Sequence, residues 1–252
     1  MASELFILTG ASRGMGLAMA QQLLLAGHHL VCISRHASPE LAQAAREHDA
    51  VLAQWTLDLA DGESASERLR GWLQQQPAGQ WTQATLINNA ALIPRIAPLS
   101  QATAHELATA LRVGLEAPMQ LTAAFLAATE SWGLPRRVLN ISSGLGRKAM
   151  ASQSAYCALK AGMDHFTRCL ALEEALKPQG ARVCALAPGV IDTDMQQQLR
   201  GADSTAFPDQ PRFAELKARG LLTSPQAAAA SVLAYLARAD FGSQPVADVR
   251  EA

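Results

Sequence analysis

Short apolar runs alternate with longer amphipathic stretches from one end of the chain to the other. Leu5–Thr9, Leu30–Ser34, Val51–Leu57, Thr85–Asn88, Arg137–Ile141 and Arg182–Ala187 are short, rich in Val, Ile and Leu, and bounded by turn residues. They read as buried strands. Between them, Met15–Ala26, Glu40–His48, Ala65–Gln75, His105–Thr129 and Ser154–Leu176 read as helices. Such alternation predicts a parallel sheet covered by helices on both faces. Ser224-Pro225-Gln226 places a capping serine and a first-turn proline at the start of a last helix, and Val246–Val249 reads as a final short strand. The polar stretch Gln196–Arg212 contains Gly201, Pro208 and Pro211. Coming after the sixth strand, it reads as a mobile flap over a site, covering roughly 194–212, rather than as a domain linker. With no internal repeat, residues 1–252 read as one domain.

Composition narrows the classes. The chain is 49% hydrophobic and 17% charged, which suits a globular protein rather than a disordered one. Twenty-one basic against 22 acidic residues leave a net charge of −1. No basic tract or interleaved aromatic stripe points to nucleic acid. The amino terminus lacks a basic region followed by a long apolar core, and Ala227–Ala237 is too short to span a bilayer, so neither a secretory signal nor a membrane anchor is expected. Cys32, Cys157, Cys169 and Cys184 have no paired spacing and read as free thiols of a reduced cytoplasmic protein. The six histidines show no metal-ligand spacing, so no metal is expected.

Two motifs carry chemistry. Thr9-Gly10-Ala11-Ser12-Arg13-Gly14-Met15-Gly16 follows a predicted strand and opens a predicted helix. In that context Gly10 allows a tight turn, Gly14 lets backbone approach a pyrophosphate, and Gly16 lets the helix pack closely on the sheet. The helix terminus offers free N–H groups to phosphate. An ordinary strand-to-helix turn would use some of the same residues. The second strand ends in Ser34-Arg35 rather than an acidic residue, and Arg13 sits in the loop. Two guanidiniums beside the adenosine ribose suit a 2′-phosphate and favour NADPH over NADH; solvated surface arginines are the alternative.

Tyr156 and Lys160 are four residues apart on a predicted helix and therefore share a face. A tyrosine pKa of about 10 is too high for ready proton exchange near neutrality, and a neighbouring ammonium is expected to lower it. Tyr156 can then protonate an alkoxide as hydride reaches a carbonyl carbon. Ser143, at the end of the strand ahead of it, can donate to the same oxygen. In isolation Tyr156 reads equally as a half-buried helix tyrosine and Lys160 as a solvated lysine.

Over essentially its full length the chain resembles the short-chain dehydrogenase/reductase family. Asp58-Leu59 looks like the family's adenine contact, and Asn88-Asn89-Ala90 like the motif in which Asn89 meets the cofactor ribose. Asn140-Ile141-Ser142-Ser143 carries the family serine, which by its spacing to Tyr156 is Ser143. Pro188-Gly189-Val190-Ile191-Asp192-Thr193 looks like the segment that binds the nicotinamide carboxamide through Ile191 and Thr193. The resemblance implies a doubly wound domain with a seven-stranded parallel sheet. It also implies a cofactor site drawing on Gly10, Ser12, Arg13, Gly14, Gly16, Arg35, Asp58, Leu59, Asn89, Tyr156, Lys160, Ile191 and Thr193, and a homodimer or homotetramer. Two departures stand out. Ala91 replaces the glycine that usually follows Asn-Asn-Ala, and Val113-Gly114-Leu115 stands where the family has its catalytic asparagine. Within the family, Ala117-Pro118-Met119, Ala155-Tyr156-Cys157 and the run to Met195 look most similar to bacterial sepiapterin-reductase-like and benzil-reductase-like members.

The resulting expectation is an NADPH-dependent reductase of a ketone or diketone, with Tyr156 as general acid, Lys160 as its tuner and ribose anchor, and Ser143 as oxygen donor. The pocket wall is expected from Ile93–Ile96, Leu145–Met150 and Met195 onward. At Gly114 a water is expected to replace the asparagine side chain and link to Lys160. The alternative is a dinucleotide-binding sensor or partner protein with impaired turnover, on the strength of Gly114.

Overall fold

A computed structural model describes residues 4–77 and 79–251. Seven parallel strands form one sheet: β1 (Leu5–Thr9), β2 (His29–Ser34), β3 (Leu52–Thr56), β4 (Ala84–Asn88), β5 (Arg136–Ile141), β6 (Arg182–Ala187) and β7 (Val246–Asp248). Their order is β3-β2-β1-β4-β5-β6-β7. The chain therefore winds one way from β1 to β3 and the other way from β4 onward, opening a crevice beyond the ends of β1 and β4.

Side-chain alternation along the strands splits the core into two layers. Phe6 and Leu8 pack with α1 (Gly14–Leu25), α2 (Pro39–Glu47) and α9 (Pro225–Ala237). Leu5 and Ile7 point the other way, into α3 (Gly62–Gln74), α5 (Ala117–Thr129) and α6 (Ser154–Ala175). In β1, β4, β5 and β6 nearly every residue is buried, as a sheet covered on both faces requires, while the edge strand β3 is mostly half-buried. The helix starts follow local chemistry. Ser38 and Ser224 accept from the backbone N–H groups of Leu41 and Ala227, Asp61 accepts from Ser64, and Thr103 with Glu106 forms a reciprocal cap.

Two stretches differ from a plain reading of the pattern. The expected helix His105–Thr129 is broken: α4 (Ala104–Leu111) and α5 are joined by a π turn at Arg112–Glu116, in which the Ala117 N–H reaches back five residues to the Arg112 carbonyl. The polar stretch after β6 holds two short helices, α7 (Asp194–Arg200) and α8 (Gln210–Ala218). Phe207 lies fully buried between them, stacked on Phe213 with ring centroids 5.6 Å apart.

Close backbone packing decides where glycine is needed. A Cβ on Gly16 would stand 2.1 Å from the Gly10 carbonyl oxygen, whereas one on Gly71, within α3, meets nothing within 4 Å. Gly16→Ala is therefore expected to destabilise the protein by about 1–3 kcal/mol through forced backbone shifts. Gly71→Ala is expected to stabilise it by about 0.5–1 kcal/mol through helix propensity. Urea unfolding of both variants gives the signs; a stabilising Gly16→Ala would refute the close approach.

Candidate active site

The site lies along the carboxyl ends of the strands, where a parallel sheet gathers its loops. After β1 the backbone turns at Gly10 (φ +71°) and again at Gly14 (φ +57°), left-handed conformations that suit glycine. Thr9 and Asn89 tie this loop to the end of β4. The Thr9 hydroxyl accepts from the backbone N–H groups of Asn89 and Ala90, both at 2.9 Å, and Asn89 Nδ2 donates to the carbonyls of Thr9 (2.9 Å) and Gly10 (3.2 Å). The Ser34 hydroxyl, from β2, accepts from Ala11 N–H at 2.9 Å. Sequence reasoning missed Thr9 and Ser34, whose signal is only that a short hydroxyl ends each strand.

These loops surround a cavity of about 930 Å³. Every residue expected in the catalytic and cofactor sites lines it, among them Gly10, Arg35, Ser143, Tyr156, Lys160, Ile191 and Thr193; of the expected wall segment 93–96 only Ile93 does, and Gly114 does not. Arg13 is paired across the opening with Asp194 of α7, at 2.7 Å, both side chains more than half exposed. Arg35 is exposed. Asp58 accepts from Ala60 N–H at 2.9 Å.

Tyr156 and Lys160 are both buried on α6, at 7% and 3% exposure. Lys160 Nζ donates to the Ile141 carbonyl at 2.6 Å and lies 5.8 Å from the centre of the Tyr156 ring. The Tyr156 hydroxyl lies 3.8 Å from Met195 Sδ. Burial pushes Tyr156 up to about 12, with the Ser143 hydroxyl opposing the shift. Burial also lowers Lys160 to about 8, with Asp164 opposing. The expected lowering of the tyrosine by the lysine is thus reversed, because desolvation of a fully buried phenol outweighs an ammonium already engaged by a carbonyl. The phenol holds its proton at neutral pH.

Ile93, Leu145 and Met195 pack beside Tyr156, and Met150, Phe213 and Leu216 continue the apolar wall toward α8. Two buried amides, Gln153 and Gln196, also line the cavity, and neither was picked out from the sequence.

Gly114 lies buried in the π turn. A Cβ there would be 2.9 Å and 3.1 Å from the two methyl carbons of Leu159. The next residue, Leu115, fills the matching space over Gly162 of α6, whose added Cβ would meet it at 2.9 Å. The expected water beside residue 114 is corrected by this packing: Leu159 occupies the direction an asparagine side chain would take. The helix irregularity is nevertheless present as the π turn.

The short chain dehydrogenase family profile matches residues 4–204. The chain is 34% identical over 245 residues to the benzil reductase ((S)-benzoin forming) of Bacillus cereus, covering 97% of this chain and 98% of that protein. It is 33% identical over 247 residues to the sepiapterin reductase of Xenopus tropicalis, covering 93% and 91%. Among solved structures, a protein from Beutenbergia cavernae described as an NAD(P) dependent gluconate 5-dehydrogenase, with bound NADP at low occupancy, superposes with a TM-score of 0.82 at 28% identity, over 99% of this chain and 96% of that one. The chain belongs to the short chain dehydrogenase family. No helix among the described residues is long and apolar enough to cross a membrane.

The Gly114–Leu159 contact generates a prediction. Gly114→Asn, which restores the family residue, is expected to destabilise the chain by about 1–3 kcal/mol by overpacking. Most of that loss should be recovered in the Gly114→Asn, Leu159→Ala double variant. Denaturant unfolding of the two single variants and the double variant measures the coupling; simple additivity would show that the side chains do not compete.

Proposed function

Because the chain is a short chain dehydrogenase and an NAD(P)-dependent oxidoreductase, we propose that it is an NADPH-dependent carbonyl reductase acting on a hydrophobic ketone or vicinal diketone. The observation that carries this reading is the convergence of Ser143, Tyr156 and Lys160 on one cavity that also contains the glycine loop. The cradle fits a dinucleotide. Gly10 and Gly14 keep side chains out of the loop, a Cβ on Gly10 would strike Ala90 backbone at 2.9 Å, and α1 presents its amino terminus to the cavity. Arg13 and Arg35 would hold the 2′-phosphate, Asn89 and Lys160 the cofactor ribose, Asp58 and Leu59 the adenine, and Ile191 and Thr193 the carboxamide. When bound, NADPH supplies the hydride.

The chain's own residues do the rest. Ser143 donates a hydrogen bond to the carbonyl oxygen and stabilises the charge that develops there. Tyr156, a protonated phenol at neutral pH, gives its proton to that oxygen. The Lys160 ammonium holds the ribose and favours the tyrosinate left behind. Arg13 exchanges its Asp194 partner for phosphate. The apolar wall of Ile93, Leu145, Met150 and Met195 suits an uncharged, bulky ketone. The benzil reductase of Bacillus cereus, by its name, forms (S)-benzoin, which supports a diketone. The stretch from Gln196 to Arg212 acts as the flap of a single-domain enzyme. Leu172 of α6 and Leu176 just past its end are 73% and 88% exposed, apolar surface in keeping with a homodimer or homotetramer in the cytoplasm. The second reading, a dinucleotide-binding sensor, draws on Leu159 filling the space of the family asparagine.

Tyr156→Phe removes the hydroxyl and keeps the ring. NADPH affinity is expected to persist while kcat for ketone reduction falls by roughly two or more orders of magnitude. Near-native turnover by the purified variant would remove Tyr156 from the mechanism, and no turnover by the native protein across a ketone panel, despite tight NADPH binding, would favour the sensor.

Arg35→Ala is expected to weaken NADPH roughly tenfold or more while leaving NADH within about twofold, because only NADPH carries the extra phosphate. Fluorescence titration of both cofactors against both proteins decides it. Equal losses would mean that Arg35 does not read the phosphate.

A further inference from the structure

Three consecutive residues at the end of β5 meet three residues of α6 spaced four apart. Ile141 accepts from Lys160 Nζ at 2.6 Å, the Ser142 hydroxyl donates to Asp164 Oδ1, and Ser143 stands beside Tyr156. Tyr156, Lys160 and Asp164 thus form one stripe on the helix, and only the first two have a part in the reaction described above. Asp164 is 1% exposed, and its Oδ2 has no hydrogen-bond partner among the described residues. The nearest cation across the gap is Arg147, with Nε 3.8 Å from Oδ2. The turn that follows Ser143 is seated directly on this ledge: a Cβ on Gly146 would meet Asp164 Oδ2 at 2.8 Å and the Lys160 carbonyl at 2.9 Å.

A carboxylate in this position needs a reason. Burying it costs several kcal/mol unless charge and hydrogen bonds offset the loss of water. Its partners are the Ser142 hydroxyl, the Arg147 guanidinium at the edge of the site and a lysine one turn away whose charge is itself buried. We propose that Asp164 is a positioning residue of this active site: through Ser142 it holds the register at which Ser143 meets Tyr156, and through its charge it keeps Lys160 an ammonium. The inference rests on the reductase reading for what Ser143, Tyr156 and Lys160 do. It also says how the chain manages with Gly114 in place of the family asparagine, since the support for Lys160 comes from α6 itself.

The groups facing this pair are few. Arg168 of α6, Arg147 of the turn after β5 and Cys184 of β6 face Asp164, together with Ser142 and Lys160. Lys160 faces Asp164, the Tyr156 ring and the Ile141 carbonyl. The π turn brings Gly114 and Leu115 toward α6, and its two charged residues, Arg112 and Glu116, are exposed. The sign of the charge effect follows. Burial raises Asp164 above the usual carboxylate range, and the Ser142 hydrogen bond with Arg147, Arg168 and Lys160 opposes that rise. Burial depresses Lys160 and the Asp164 charge opposes that, so neutralising Asp164 lowers Lys160 further. The ammonium is then lost at a lower pH.

The test uses the full chain with two substitutions. Asp164→Asn keeps an acceptor for Ser142 but removes the charge; Ser142→Ala keeps the charge but removes the clip. NADPH affinity is read by fluorescence titration over the neutral-to-alkaline range without ketone, and reduction of a diketone is followed over the same range. For Asp164→Asn, the alkaline loss of NADPH affinity and of kcat/KM is expected to move down by about one pH unit. For Ser142→Ala the alkaline limb should stay in place while kcat falls roughly tenfold, with KM for NADPH within about twofold, because the Ser143 hydroxyl is no longer held in register. An unmoved limb in folded Asp164→Asn overturns the charge role, even if kcat falls. Native kcat in Ser142→Ala overturns the register role, and that variant decides alone should Asp164→Asn fail to fold. The binding arm separates the two levels: a native protein that reduces no ketone refutes the reductase reading, while the shift in NADPH affinity still reports on Asp164.

Discussion

The Thr9 hydroxyl accepts two backbone N–H groups from the far side of a crevice, and the geometry of the site follows from that contact. A parallel sheet whose connections wind in opposite directions from its middle must part its loops at β1 and β4. Left alone, the gap would expose backbone polar groups to one another at no fixed distance. Thr9 and the Asn89 amide close it, holding the glycine turn against the end of β4 so tightly that Gly10 and Gly16 have no room for a side chain. The same contact sets the floor of the cavity. Family residues that a contact by contact reading treats separately, Asn89 and the glycines, are here one mechanical unit.

At the other end of the cavity, burial rather than charge dominates the Tyr156–Lys160 pair. Tyr156 and Lys160 are both drawn toward their neutral forms, the phenol upward and the amine downward. A protonated tyrosine is the right starting state for a proton donor, and an amine near neutrality is responsive to a single nearby carboxylate. Lys160 is satisfied by the Ile141 carbonyl, so the end of β5 and the start of α6 form a preorganised surface. This is why Asp164, otherwise an odd residue to find at 1% exposure, fits the logic of the site.

The π turn shows how packing and chemistry share residues. Gly114 and Gly162 each receive a leucine from the opposite helix, Leu159 and Leu115 in reciprocal contact. Van der Waals contact of this kind leaves no room for a buried water or an amide, and it fixes the helix that carries Tyr156 against the helix that walls the cavity. The departure from the family pattern at Gly114 is therefore compensated in volume.

Local pattern specified a great deal of this protein. The strands begin and end within about a residue of where apolar runs meet turn residues, because a strand covered on both faces must be continuously apolar. Glycine spacing marked the turn, and the four-residue spacing of Tyr156 and Lys160 marked a shared helical face, since both are properties of a single element. The residues so marked all border one cavity. Distance in sequence hid the rest. Leu159 opposite Gly114, Ser142 against Asp164 and Arg13 against Asp194 join segments up to 181 residues apart, and no local period encodes such pairs. The direction of the tyrosine shift was also out of reach, because desolvation depends on how completely neighbouring elements exclude water. Spacing within an element is a matter of backbone geometry and can be read from the chain; burial and cross-element contact exist only once the layers have closed.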